Sequence, residues 1–181
     1  MARFHFVLIF FLCYYCLPFQ SSAAISNVPT KLVNEICNQT SNYSFCVESL
    51  YSDPRTPDAD AYELAYVSFG LAYLNATATQ DSIAKLLKNT TASAASLKRL
   101  KICKRDYHKA VSALEQAFND LNSETYFQLA KLAGRAAAAA DNCQSAFEGT
   151  HNYSPLATMN ACLKALSGIC IVVSKLFTGV D

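Results

Sequence analysis

Four stretches of this chain place apolar residues three or four positions apart, which is the repeat of one face of an α-helix. They cover residues 59–87, 96–121 and 125–147 and the segment from Pro155 towards the C-terminus. The apolar positions of the first stretch are Leu64, Val67, Leu71, Leu74, Ile83 and Leu86. Those of the third are Phe127, Ala130, Ala133, Ala137, Ala140, Cys143 and Phe147. No stretch alternates apolar and polar residues as a strand does, so the pattern predicts an all-α protein.

Short polar turns separate the four stretches. One turn lies at Asn122 to Glu124, and Ser154-Pro155 has the pattern of a cap followed by proline at the first helical position. Long helices joined by short turns pack antiparallel, so we predict an up-down-up-down four-helix bundle over residues 59–181. A second, aromatic stripe on the first bundle helix consists of Tyr62, Tyr66, Phe69 and Tyr73. We expect one stripe to face the bundle and an N-terminal hairpin to cover the other.

That hairpin is predicted over residues 25–58. Two short apolar segments surround Cys37 and Cys46, with a polar turn between them. Pro54 and Pro57 then end the helical pattern, because proline lacks a backbone donor and restricts the residue before it.

Residues 1–24 have the order of a secretory signal peptide. Arg3 precedes an apolar core from Phe6 to Leu17, and small residues follow at 21–24. The core has about a dozen residues, whereas a membrane span needs about 20. We therefore predict cleavage after Ala23 or Ala24 and secretion. No later segment is expected to be long and apolar enough to cross a membrane.

The charge balance narrows the classes of partner. The chain has 15 Lys and Arg against 14 Asp and Glu, and removal of Arg3 brings the two sums level. A net charge near zero disfavours a nucleic-acid or anionic-membrane partner, which would need a basic face. The mature chain is long enough for one domain with its own core.

The cysteines test the bundle. Cys103 lies 19 residues before Asn122 and Cys143 lies 21 after it. Residues equally far from the turn of an antiparallel pair face each other, so Cys103 and Cys143 can form a bridge between two bundle helices. Cys37 and Cys46 flank the first turn and can close the small hairpin. Secretion places both pairs in an oxidising compartment, where disulfides persist.

Cys162 and Cys170 are eight residues apart on the last predicted helix. That spacing corresponds to about 12 Å, beyond the ~7 Å limit between bridged α-carbons. They cannot pair with each other in an intact helix. We expect two buried free thiols, with an intermolecular disulfide as the alternative.

Five Asn-x-Ser/Thr sequons become candidates for glycosylation in a secreted protein. They begin at Asn38, Asn42, Asn75, Asn89 and Asn152. Pro155 directly after the last sequon should weaken it, and we expect only some of the five to carry a glycan.

Catalytic and cofactor motifs are missing from the sequence. The chain contains no His-Glu-x-x-His metal helix, no Gly-x-Ser-x-Gly elbow and no phosphate loop. His108 stands beside Lys109 and Arg105 and is interpreted as part of a solvated helix face, and His151 has no neighbouring acid or thiol. We predict neither catalysis nor a bound metal or cofactor.

Several segments resemble the plant invertase and pectin methylesterase inhibitor family. They are Leu32 to Cys46, Val47 to Arg55, Tyr126 to Cys143 and the closing Ser154-Pro155 helix, so the resemblance covers essentially the whole mature chain. It implies the bundle-plus-hairpin fold, the two disulfides, and one-to-one docking on an enzyme. It also implies secretion to the cell wall or delivery to the vacuole.

The target is then one of two enzymes. Ser52 to Arg55 resembles the invertase-inhibitor branch, in some members of which a Pro-Lys-Phe motif enters the invertase active site. The matching positions look like Glu124-Thr125-Tyr126, where only an aromatic survives. The resemblance thus implies that Asn122, Glu124, Thr125 and Tyr126 occlude the cleft of an acid invertase, unless Tyr126 only packs at the start of a helix. The alternative is a pectin methylesterase inhibitor, whose bundle-helix faces cover a pectin groove.

A different class, a ligand carrier or pollen-type structural protein, also stays open. A lipid-transfer protein would need Cys-Cys and Cys-x-Cys patterns, and both are absent. Binding of a fluorescent lipid would test that class.

Overall fold

The computed structural model describes residues 28–88, 92–149 and 154–179. Within these ranges the chain forms α-helices and two short 3-10 helices and contains no strand, so the prediction of an all-α protein is confirmed. The α-helices are α1 (Lys31–Cys37), α2 (Tyr43–Tyr51), α3 (Ala61–Leu87), α4 (Ala94–Asn122), α5 (Leu129–Ser145) and α6 (Ala157–Thr178). The 3-10 helices are Thr56–Asp58 and Tyr126–Gln128. The proposed signal peptide lies outside the described residues and stays a prediction.

The four long helices close into a ring. α3 packs against α4, α4 against α5, α5 against α6, and α6 returns to α3. Each helix is therefore a neighbour of the next one in the chain, as an up-down-up-down bundle requires. The α1–α2 hairpin lies against α6, and α2 also contacts α3. The predicted four-helix bundle with an N-terminal hairpin is confirmed.

Side-chain caps start most of these helices. Thr30, Asn42, Asp60 and Ser93 each accept a hydrogen bond from the backbone N–H three residues on, which satisfies a donor that the first helical turn leaves free. Helices α5 and α6 have no side-chain cap. Before α6, the Ser154 hydroxyl accepts from the Leu156 N–H in a turn that precedes the helix. The prediction of Pro155 at the first helical position is therefore wrong, and α6 begins at Ala157.

The aromatic stripe on α3 does not pack as predicted. Phe69 is fully buried in the core. Tyr66 and Tyr73 instead contact Phe118 of α4, with ring centroids 6.0 and 5.9 Å away. Helix α4, rather than the hairpin, therefore covers these two rings. Leu74, expected on the apolar stripe of α3, is 63% exposed.

Helix α6 differs from the expectation that no later segment is long and apolar enough to cross a membrane. By length and composition it could cross a membrane, with a mean hydropathy of 1.6 over its most apolar window. Half of that window is buried inside the protein, because α1, α2, α3 and α5 all pack against this helix. A helix covered on several sides is apolar around most of its circumference. Its composition is thus explained by burial in the core.

A buried polar chain links three bundle helices. The Tyr107 side chain on α4 is fully buried, and its hydroxyl donates to Asn160 Oδ1 of α6 at 2.9 Å. The Asn160 Nδ2 group donates in turn to Gln144 Oε1 of α5 at 2.9 Å. Burial raises the pKa of Tyr107 well above its usual range, so the phenol stays a donor throughout the working pH range.

We expect the substitution Tyr107→Phe to lower the free energy of unfolding by about 1–2 kcal/mol, because the buried Asn160 carbonyl loses its donor. Urea denaturation would measure the change. The matched control is Tyr73→Phe, whose hydroxyl makes only a 3.4 Å exposed hydrogen bond to Glu115. Equal losses for the two variants would contradict the role assigned to the buried chain.

Candidate functional site

The connection between α4 and α5, residues 122–126, forms a sharply folded edge at one end of the bundle. The Ser123 N–H donates to the Asn119 carbonyl at 3.0 Å, and the Thr125 N–H reaches back to the Asp120 carbonyl at 2.9 Å. Between them Glu124 has a φ of +55°, in the left-handed region that residues other than glycine seldom adopt. The backbone hydrogen bonds hold this conformation, so the edge has one defined shape.

Two tyrosines of α3 anchor the edge from the side. The Tyr66 hydroxyl donates to Asn122 Oδ1, and the Tyr62 hydroxyl donates to the Leu121 carbonyl at 3.2 Å. The two rings meet edge to face, with centroids 5.0 Å apart. Hydrogen bonding with Tyr62, followed by burial, raises the pKa of Tyr66 to about 12. The Tyr66 phenol is therefore uncharged in an acidic compartment and keeps its hydrogen bond to Asn122.

Of the two aromatic residues at the start of the third bundle segment, Tyr126 packs, as one of its two interpretations allowed, whereas Phe127 differs from its prediction. Tyr126 is half-buried and stacks on Phe177 at the end of α6, with centroids 4.5 Å apart and planes 22° from parallel. Phe127, assigned above to the buried face of a helix, is 85% exposed. The reason is the 3-10 helix over residues 126–128, after which α5 begins only at Leu129. Phe127 thus lies outside the helical phase that buries its neighbours.

The structure brings the four predicted contact residues onto this edge. Asn122, Glu124 and Thr125 are exposed, while Tyr126 serves mainly as packing. Phe127 is a surface residue that the apolar spacing did not predict. Two adjacent aromatics after a polar turn were the available signal, but the apolar spacing allowed either one to face the core.

A shallow polar cleft of about 200 Å³ lies next to the edge, between α4 and α5. It is lined by Gln116, Asp120, Gln128, Lys131, Leu132 and Arg135. The cleft extends the edge into a surface with an exposed aromatic at its tip and both signs of charge beside it. Such a surface suits docking on a protein better than enclosing a small molecule.

Two disulfides join pairs of described residues in the scaffold that presents this edge. Cys37–Cys46 joins α1 to α2, and Cys103–Cys143 joins α4 to α5. All four cysteines are buried, and both pairs match those that the sequence indicated.

The other two cysteines among the described residues, Cys162 and Cys170, differ from each other. Cys170 is a buried free thiol, as expected, and burial raises its pKa to about 12. Cys162 is disulfide-bonded, so the expectation of a free thiol there is wrong. The eight-residue separation from Cys170 excludes a bond between these two cysteines but not a bond from Cys162 to another cysteine.

The sequons differ in accessibility. Asn38 and Asn42 are exposed in the turn between α1 and α2. Asn42 caps α2 through Oδ1, which accepts from the Phe45 N–H at 3.0 Å, so its Nδ2 could still carry a glycan. Asn75 is only half-exposed in the middle of α3. Asn89 and Asn152 lie outside the described residues.

Metal-binding and acid–base groups do not converge at the edge. In the described part of the chain, no three His, Cys, Asp or Glu side chains are placed to hold a metal ion. His108 is exposed on the outer face of α4, as predicted, and His151 lies outside the described residues.

Comparison with known proteins agrees with this architecture. The family model described as plant invertase/pectin methylesterase inhibitor matches residues 31–173. An Arabidopsis thaliana protein named cell wall / vacuolar inhibitor of fructosidase 2 is 36% identical over 118 residues, or 64% of this chain and 66% of that protein. A pectinesterase inhibitor from Actinidia deliciosa is 35% identical over 150 residues, or 82% of this chain and 80% of the relative. A mutant form of an Arabidopsis pectin methylesterase inhibitor superposes with a TM-score of 0.70 at 23% identity, covering 78% of this chain and 93% of that structure.

The family match and the named relatives identify this helical bundle as a proteinaceous enzyme inhibitor rather than an enzyme. The chain belongs to the plant invertase/pectin methylesterase inhibitor family. Its relatives carry the names of inhibitors of two different enzymes, so membership alone leaves the target open.

Proposed function

We propose that this protein inhibits a plant acid invertase (β-fructofuranosidase) by docking one-to-one and placing its Asn122–Tyr126 edge over the active-site cleft. The observation that carries the proposal is Phe127, an 85% exposed aromatic next to that edge. Exposed aromatics that enter a partner's pocket commonly dominate the affinity of protein complexes. An inhibitor named for fructosidase is among the relatives.

The rigidity of the edge supports the same function. Hydrogen bonds from Tyr62 and Tyr66 tie it to α3, and the Tyr126–Phe177 stack ties it to α6. A loop that is already ordered loses little conformational entropy when it binds. The scaffold thus presents Phe127 and Glu124 in a fixed arrangement before the enzyme arrives.

The alternative target is a pectin methylesterase, with the outer faces of the bundle helices as the contact surface. The favouring observation is the length of the Actinidia alignment, which spans 82% of this chain against 64% for the fructosidase inhibitor at nearly equal identity. In that case α4 and α5, on either side of the polar cleft, would carry the contacts and Phe127 would contribute little.

For location, we propose secretion to the apoplast, with the vacuole as the second destination. The predicted signal peptide supports entry into the secretory pathway, and the name of the Arabidopsis relative includes both cell wall and vacuole. The exposed Asn38 and Asn42 are the sequons that we expect to carry glycans.

A parallel inhibition titration tests the proposal. Purified mature protein is titrated at acidic pH against acid invertase and pectin methylesterase, each with and without a disulfide reductant. We expect stoichiometric inhibition of invertase and a loss of inhibition after reduction. Inhibition of the methylesterase alone would reverse the assignment, and no inhibition of either enzyme at micromolar protein would overturn both.

A further inference from the structure

The near-zero net charge conceals a strong segregation of charge along the chain. Residues 31–81 contain seven Asp or Glu and two Lys or Arg, whereas residues 85–109 contain eight Lys or Arg and one acid, Asp106. Such asymmetry between parts of a neutral chain indicates a surface made for charged partners.

The cations of the second segment are gathered mainly on the outward face of α4. Six basic residues lie within twelve positions, at Lys98, Arg99, Lys101, Lys104, Arg105 and Lys109. All of them except the half-buried Arg99 are exposed. At 1.5 Å per residue this basic face is about 16 Å long. The last turn of α3 adds Lys85 and Lys88, both exposed, at the end of the bundle where α4 begins.

Only part of this charge is neutralised within the protein. Asp106 is buried and pairs with Arg105 and Lys109, whose side chains remain 64% and 58% exposed. Within the described ranges, Lys98, Lys101 and Lys104 form no ion pair. Three free ammonium groups on one face give a positive potential that attracts extended anions.

Towards the C-terminal end of α4, its outward face is no longer basic. Beyond Lys109 the exposed charged side chain on this face is Glu115, followed by neutral Gln116 and Asn119. Lys109 also lies about 20 Å along the helix from Asn122. The basic face and the target-binding edge are therefore separate surfaces, and both could be occupied at once.

We propose that this basic face of α4 binds a linear polycarboxylate polysaccharide, namely de-esterified pectin. The inference rests on the proposed secretion to the cell wall, and simultaneous binding of polysaccharide and enzyme also requires docking through the Asn122–Tyr126 edge. An extended band of exposed basic side chains along one helix suits a linear polymer with repeated carboxylates. Uncharged, methyl-esterified pectin offers the same sugars without the charge. Binding would hold the inhibitor in the wall while the opposite end remains available for docking.

The test measures retention of the mature protein on immobilised sodium polygalacturonate. We expect binding that weakens steeply with added salt and no binding to the methyl-esterified polymer. The double variant Lys101→Gln/Lys104→Gln should bind about fivefold more weakly, since it removes two exposed charge contacts. The matched control Lys31→Gln/Lys175→Gln removes the same charge elsewhere and should bind like the wild type.

Three results would overturn the proposal. Equal weakening in the two double variants would show that only net charge matters. Equal retention on the esterified polymer would remove the role of the carboxylates. Tighter binding to phosphatidylserine vesicles at the same total charge would assign the face to a membrane. Invertase inhibition by Lys101→Gln/Lys104→Gln should equal that of the wild type. A failure of the polysaccharide-binding proposal can therefore be distinguished from a failure of the proposed inhibitory function.

Discussion

Replacing Cys143 by alanine is expected to lower the free energy of unfolding by about 4 kcal/mol, because the Cys103–Cys143 bridge closes a loop of 40 residues in the unfolded chain. Domains of this kind are stable by only about 5–15 kcal/mol, so the loss is a large part of the total. We expect the melting temperature to fall by about 10 °C. Most of the inhibition should disappear at temperatures where the wild type still acts.

Two comparisons separate the bridge from the loss of a buried sulfur atom. Cys170→Ala truncates a buried thiol that is free, and we expect a cost on the order of 1 kcal/mol. Removal of Cys37–Cys46 opens a loop of only 9 residues and should cost about 2.5 kcal/mol. Calorimetry on the three variants would measure the order of their losses in the free energy of unfolding. Equal destabilisation by Cys143→Ala and Cys170→Ala would contradict the role assigned to the α4–α5 bridge.

The parts of the fold that sequence predicts well depend on repeated, local rules. Apolar residues at intervals of three and four locate α3 to α6, because each helix must bury one face. The register of Cys103 and Cys143 follows from equal distances to the turn at Asn122, since the two helices are antiparallel. Neither inference needs knowledge of which side chains finally touch.

The parts that sequence misses depend on a few residues of irregular backbone or on packing from several sides. A 3-10 helix of three residues moves Phe127 out of the buried phase and leaves Tyr126 to pack on Phe177. The composition of α6 reflects four neighbouring helices rather than one buried face. The basic face of α4 is hidden in a total charge that sums to almost zero. In each case a local irregularity of the backbone or an arrangement in space decides the result, and the spacing, composition or total charge of the sequence does not contain it.

Phe127→Ala is expected to weaken inhibition of invertase about 30- to 100-fold while leaving the melting temperature unchanged. An aromatic anchor that fills a partner's pocket is worth about 2–3 kcal/mol on truncation. In the free protein the side chain is 85% exposed, so its removal costs the fold almost nothing. The separation of the two effects is what distinguishes a docking residue from a packing residue.

Two further variants serve as comparisons for this prediction. Leu74→Ala removes another large apolar side chain that is 63% exposed, from α3, and should change neither inhibition nor stability. Tyr126→Ala removes the stack on Phe177 and should lower both, because the edge loses its anchor on α6. Inhibition constants and melting curves for the three proteins are the measurements. Should Phe127→Ala inhibit invertase as well as the wild type, the edge would not be the inhibitory surface. The helix faces beside the polar cleft would then be the candidate inhibitory surface, as a methylesterase target implies.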